Sequence, residues 1–259
     1  MGYREERRVL GDKTLGELFG AVPNMRSTAL LNSKRDFVSS EIWTRPGLSR
    51  RDRWLTALTC VGYAANAAEN DKYVHGALQS KALTMAEMRE FVLHFAVYCG
   101  WSSAELLDES VSRAADALGL AEPEEPPPVS LEPVERQARA ADCWASVMTF
   151  PPPQPDTPYT SAGILNFVFS EMWDRPGLDR KGRRIVTMAS VGMCDSPMPI
   201  VSHVYASMNS GQISLEEMQE FVLQFAVYAG WPKASHMQGV TGKVAKCLAE
   251  GRPFSELLP

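Results

Sequence analysis

The sequence predicts an all-α protein in which one helical unit occurs twice. Three observations lead there. First, FVSSEIWTRPGL at 37–48 returns as FVFSEMWDRPGL at 167–178, and REFVLHFAVYCGW at 89–101 returns as QEFVLQFAVYAGW at 219–231, each at an offset of 130. Nine of twelve and ten of thirteen positions are identical, a period too long for a solenoid repeat. Second, apolar residues recur at helical spacing, and no segment alternates with the period of a strand. Third, helix start and stop signals stand at matching places in both copies.

The elements follow in order. Arg-Pro-Gly-Leu is turn chemistry, with proline and glycine fixing the chain before a helix. The next helix starts at Ser49 or Asp179 as N-cap and carries Leu55, Leu58 and Val61, or Ile185, Met188 and Val191. A turn is expected near Asn70 or Ser196, with Pro197 in the first helical position, and His75 and His203 fall in the helix after it. Thr84 with Glu87, and Ser214 with Glu217, have capping-box spacing. The helices that follow present Met88, Phe91, Val92 and Phe95, or Met218, Phe221, Val222 and Phe225, on one face. Gly100 and Gly230 are expected as left-handed stops, each with an apolar contact from Trp101 or Trp231. The proline- and acid-rich run AEPEEPPPVSLEPV at 121–134 breaks the chain, which gives a first unit at 1–122, a linker at 123–135 and a second unit at 136–259. A second proline cluster, FPPPQPDTP at 150–158, is expected to lengthen a loop before the shared motif.

Composition bounds the function. The chain has 259 residues, 45% of them hydrophobic and 22% charged, an ordinary globular mixture. The formal net charge of −5 does not favour a nucleic-acid partner, which needs basic surface. No apolar run is long enough to span a bilayer, and the charged start MGYREERRVLGDK does not resemble a secretory leader. The cysteines at 60, 99, 143, 194 and 247 never stand at CxxC spacing, so neither a zinc site nor a disulfide framework is expected. A reduced, cytoplasmic protein is the expectation.

Each unit thus carries Glu-x-Trp-x-Arg-Pro-Gly-Leu, an arginine five residues later (Arg53, Arg183), a downstream histidine and a closing Tyr-x-Gly-Trp. This pattern resembles the carboxymuconolactone decarboxylase family over roughly residues 30–115 and 160–245. The resemblance implies a duplicated AhpD-like helical domain, assembly into rings, here expected as a trimer of two-unit chains, and cofactor-free decarboxylation of a small anionic ring. The alkylhydroperoxidase branch of the same family works through a Cys-x-x-Cys before the histidine. Ala68 and Asp71 precede His75 at those places, and Ser196 and Pro199 precede His203, so that chemistry lacks its thiols.

The residue types suit proton transfer on a carboxylate. Arginine forks hold carboxylates bidentately, and histidine moves protons near neutral pH. On that basis His75, Glu41, His203 and Glu171 are the catalytic candidates. Arg45, Arg53 and Trp43, with Arg175, Arg183 and Trp173, are the substrate-binding candidates. Glu41 and Glu171 have an equal claim as structural ion-pair partners of the arginines. No metal or cofactor is expected: a conjugated lactone or β-keto acid supplies its own electron sink. An isomerase, a cyclase, another lactone-processing enzyme or a non-catalytic ligand-binding protein on the same scaffold are the alternatives. The polar residues Asn66, Glu69, Asn70, Asp71 and Tyr73 before His75 suggest that the first copy is the more active one.

Overall fold

A computed structural model describes residues 2–20, 27–127 and 132–258. Among these residues there are helices and no strands. The first half runs α1 (Tyr3–Phe19), α2 (Ala29–Ser33), a π-helix π1 (Lys34–Ile42), α3 (Arg50–Tyr63), α4 (Ala67–Gln79), α5 (Met85–Cys99) and α6 (Trp101–Leu118). The second runs α7 (Pro133–Met148), π2 (Tyr159–Met172), α8 (Arg180–Met193), α9 (Pro197–Asn209), α10 (Leu215–Ala229) and α11 (Trp231–Ala249), with a short 3-10 turn at Phe254–Leu257. None of these helices is long and apolar enough to cross a membrane.

The caps read from sequence are present. Ser49 and Asp179 accept the amides of Asp52 and Gly182, and both capping boxes close. Two stop signals differ from expectation. Gly100 and Gly230 have positive φ (92° and 93°) but extended ψ (150° and 147°), so the chain turns straight into the next helix instead of closing a left-handed cap. Trp101 and Trp231 become the first residues of α6 and α11 and stay more than half exposed. The turn before α4 lies at Ala64–Asn66, with Asn66 capping Glu69, so Asn70 sits inside the helix.

Each of α8 to α11 starts 130 residues after its counterpart among α3 to α6, and α7 starts 130 residues after α1. The proline cluster at 150–158 lies between α7 and π2, ahead of the shared motif. One hydrophobic core runs through both halves, joining Trp54, Leu58, Phe91 and Phe95 to Ile185, Met188, Phe221 and Phe225. Amphipathic helices of a unit this small leave apolar surface uncovered, and each half covers the other's.

The motif segment FVxSExW forms the end of a π-helix. Trp43 and Trp173 donate their amides five residues back, to Val38 and Val168, at 3.1 Å each. The wide turn points Trp43 and Trp173 into the core and leaves Glu41 and Glu171 facing α1 and α7.

Candidate functional site

Arg183, on the first turns of α8, is buried and spends its fork on three kinds of partner. Nη2 holds Glu90 Oε2 at 3.0 Å and the Arg175 carbonyl at 2.8 Å, Nε holds the Leu178 carbonyl, and Nη1 lies 3.4 Å from His94 Nδ1. Arg175 grips the same Glu90 carboxylate with Nε and Nη2, at 3.1 and 2.7 Å to Oε1. Glu90 and His94 belong to α5, so the cluster is assembled across the two halves. This explains the glycine of the motif. A Cβ on Gly177, whose φ is +94°, would lie 2.6 Å from Glu90 Cγ, and one on Gly47 would lie 2.7 Å from Glu220 Cγ.

Beyond the ion pair lies a group of aromatic and imidazole rings. His94 packs edge-on to Trp173 at 5.0 Å and tilted on Tyr98 at 5.2 Å. His203, on α9, stacks parallel to Trp173 at 6.4 Å and edge-on to Tyr98 at 5.7 Å. Trp173 donates its indole N–H to the Tyr98 oxygen at 3.0 Å. His94 Nε2 is 2.8 Å from Thr187 Oγ1. The Arg184 guanidinium lies 5.9 Å over the Trp173 ring. Its Nε meets Gln212 and its Nη2 the Val147 carbonyl, while Nη1 is buried without a hydrogen-bond partner. No carboxylate among the described residues is within ion-pair distance of it.

Burial sets the protonation states here. It lowers the Arg184 pKa to about 10, with help from Arg180, so the group remains charged at neutral pH. Burial, with Arg184 second, lowers His203 to about 3. Burial and then Arg183 hold His94 well below the usual histidine range, and burial pushes Tyr98 up to about 12. Both imidazoles are therefore neutral at pH 7. The His203 ring makes no hydrogen bond to any described residue. A cleft of about 870 Å³ opens on the solvent side of Glu90 and Arg175, with Arg89, Leu93 and the extended segment 122–127 as its other walls.

The first half has the same frame with different contents. Arg45 and Arg53 hold Glu220 of α10, and Arg53 Nη1 donates to Gln224 Oε1 at 3.1 Å. Trp43 donates to the Tyr228 oxygen at 2.9 Å, and the Tyr228 ring packs edge-on against Tyr73 at 5.8 Å. Trp54 stands where the second half has Arg184, packed against Trp43, Tyr73 and Phe19.

Two sequence pairings are corrected by these positions. His203 corresponds to Tyr73, not to His75, because α4 and α9 start exactly in register after Asn66 and Ser196. His75 corresponds to Tyr205 and borders a separate hollow with Asp71, Lys72, Ser110 and Arg113. The positions preceding Tyr73 that match Ser196 and Pro199 are Asn66 and Glu69, again without a thiol. Nor are Glu41 and Glu171 the partners of the paired arginines. Glu41 bonds Arg7 and Tyr3, and Glu171 bonds Arg136 at 2.7 Å. Their π-helical turn faces α1 and α7, and the carboxylates on the arginines come from the other half. Asp71 is spent on Arg113, and Asp195 pairs with His236 at 2.8 Å while Ser196 makes no side-chain cap.

Glu90, His94, Tyr98, Thr187 and Arg184 were not singled out from the sequence. A signal existed. Glu90, His94 and Tyr98 stand at i, i+4 and i+8 on one helix face, and Arg184 opposes Trp54 when the copies are laid at a constant offset.

A family model described as the carboxymuconolactone decarboxylase family matches residues 158–241. This segment is similar to that family's domain. It contains Trp173, Arg175, Arg183, Arg184, Thr187 and His203, whereas Glu90, His94 and Tyr98 come from outside it. The chain is 34% identical over 90 residues to the nitrosuccinic acid decarboxylase npaB of Metarhizium robertsii, covering 34% of this chain and 62% of that protein. It is 32% identical over 85 residues to the 4-carboxymuconolactone decarboxylase of Acinetobacter baylyi, covering 33% and 63%. The chain thus spans a little under two thirds of the length of these relatives, both of which are named as decarboxylases.

Proposed function

We propose that the protein is a cofactor-independent, decarboxylase-like enzyme acting on a small carboxylated lactone or β-keto acid, and that the second-half site does the work. The observation that carries this reading is the buried Arg184 guanidinium, whose Nη1 has no hydrogen-bond partner and which has no carboxylate partner among the described residues. A buried cation without a counterion is costly, and an anionic substrate supplies the missing charge. The names of the two relatives agree with such a substrate.

The chemistry follows from charge. Arg184 holds the substrate through a carboxylate. The bond to the departing carboxylate breaks, CO₂ leaves, and the electron pair moves into the conjugated carbonyl as an enolate. A proton must then reach carbon, and His203 is the proton carrier beside Arg184. Burial, with Arg184 second, keeps His203 neutral. An anion on Arg184 removes part of that bias, so substrate binding and proton uptake from water are coupled. Arg175 and Arg183 are spent on Glu90 and act as a frame.

The test is a panel of carboxylated lactones and β-keto acids assayed for CO₂ release with wild type and Arg184→Gln. We expect release from at least one compound, with kcat/KM down by about a hundredfold or more in the variant, since a charged hydrogen-bond partner is lost from a buried site. Equal activity of wild type and variant overturns the assignment to this site.

A further inference from the structure

Arg184 and His203 are buried, at 1% and 9% exposure, so a molecule that meets them must pass a wall that moves. One stretch of that wall has a surface hollow on its far side. The Val147 carbonyl, on the last turn of α7, accepts Arg184 Nη2 at 2.7 Å, so this turn rests on the guanidinium. Its neighbours Trp144, Met148, Thr149 and Phe150 line a hollow of about 690 Å³, with Tyr205 and Phe254 opposite. Arg184 and Val147 do not line that hollow, and the turn stands between it and the cation. A series of rings leads inward from the same place. Trp144 lies 4.5 Å from Phe169, Phe169 stacks on Trp173 at 6.1 Å, and Trp173 stacks on His203 at 6.4 Å.

The turn is held in a conformation that its sequence disfavours. α7 ends on Thr149 at φ +62° and ψ +17°, the left-handed region, where a β-branched side chain is an outlier. Its counterpart α1 ends on Gly20 at φ +76°, where the missing side chain removes the conflict. Side chains hold the second-half turn in place. Asn209 Nδ2 donates to Thr149 Oγ1 at 3.0 Å, and Trp144 Nε1 donates to the Phe150 carbonyl at 2.8 Å. The Phe150 ring stacks on Phe254 at 4.0 Å. The strain at Thr149 offsets part of what these contacts contribute, which lowers the cost of opening.

We propose that the last turn of α7, Val147–Phe150, is a door between this hollow and the Arg184–His203 cluster. Closed, Arg184 spends Nη2 on the Val147 carbonyl and leaves Nη1 without a partner. Opening relaxes Thr149 and frees Nη2, so both terminal nitrogens face an incoming carboxylate as a fork. The proposal rests on the decarboxylase-like reading only for what passes the door, a small carboxylate. The first half has no such device: Gly20 ends α1 without strain, and Trp54 stands in the place of Arg184.

The experiment locks the door shut. Thr149→Cys and Asn209→Cys are introduced together in a Cys194→Ala chain and oxidised to a disulfide, and the reduced form of the same sample is the control. Access to Arg184 is read from its modification by phenylglyoxal, mapped by mass spectrometry against the exposed Arg4. Oxidation is expected to slow the Arg184 reaction about tenfold or more and reduction to restore it, with Arg4 unchanged, because a buried group reacts only through local opening. Where the bridge does not close, Thr149→Val carries the test. It keeps the β-branch, removes the tie to Asn209, and should speed the Arg184 reaction about threefold or more over wild type. An Arg184 rate unmoved by the bridge, or by Thr149→Val where no bridge forms, overturns the proposal. On any compound that releases CO₂, turnover should be lost with the bridge and regained on reduction, and undiminished turnover in the bridged protein overturns the door as well. A bridge-dependent Arg184 rate without CO₂ release from any compound overturns the decarboxylase reading and leaves the door standing.

Discussion

The two buried clusters are built on one frame and differ in what fills it. Each takes two arginines and a tryptophan from its own half, and a glutamate and a tyrosine from the other half. In the first, Trp54, Tyr73, Ala57 and Gln224 complete an aromatic plug. In the second, Arg184, His203, Thr187 and His94 occupy those four places. Four exchanges at fixed positions turn a packed core into a charged, hydrogen-bonded site. In the first half the frame is filled by aromatic side chains that pack against one another.

The largest expected effect follows from the exchange at His203. His203→Tyr imports the first-half residue and should cut turnover by about a hundredfold or more, as expected for a general acid or base. His75→Ala should change it by less than about twofold. Equal losses in a turnover assay would erase the distinction between the pockets. Next in size is the shared frame. Removing one partner of a buried ion pair costs about 3–5 kcal/mol, so Glu90→Gln and Glu220→Gln should destabilise by similar amounts in denaturant melts. Glu90 is the more enclosed of the two, at 7% side-chain exposure against 11%, so any inequality should fall on its side.

The acid limb of stability should also separate the pockets. In the fold His203 titrates at about 3 and His94 well below its usual value, whereas unfolded histidines bind protons near 6.5. The unfolded chain thus takes up more protons as pH falls. The stability His203 contributes is present above about pH 6.5 and is lost between there and about 3, by up to about 1.4 kcal/mol per pH unit, and the lowered His94 pKa adds to the loss below about pH 6.5 in the same direction. His203→Tyr should flatten this slope in urea melts at stepped pH, whereas His236→Gln, on the surface, should not. The smallest effect concerns thiols. Cys194 is exposed and lies outside both pockets. Cys194→Ala should leave turnover within about twofold, and a larger loss would make that thiol part of the chemistry.

Local signals were legible in proportion to how local their causes are. The capping boxes, the Ser49 and Asp179 caps and Pro197 depend on neighbours a few residues away, and the chain spells them out. The π-helical turn was not legible, because a single widened turn leaves the apolar spacing nearly unchanged. It decides that Glu41 and Glu171 face α1 and α7, and so removes them from the arginines that the motif places close by in sequence.

By itself the sequence determined an all-helical chain with a repeated motif, and the amino acids that give both pockets their arginine–tryptophan frame. These follow from periodicity and from short-range turn and cap chemistry. The tertiary structure decided which residues meet. The partners of Arg53 and Arg183 are 167 and 93 residues away, on the helix of the opposite half, and Tyr98 reaches Trp173 across 75 residues. Helix faces carry an apolar stripe in sequence, but nothing in a stripe names the helix that will cover it. The register between α4 and α9, and the packing of each half onto the other, made His203 and His94 members of one site and left His75 outside it.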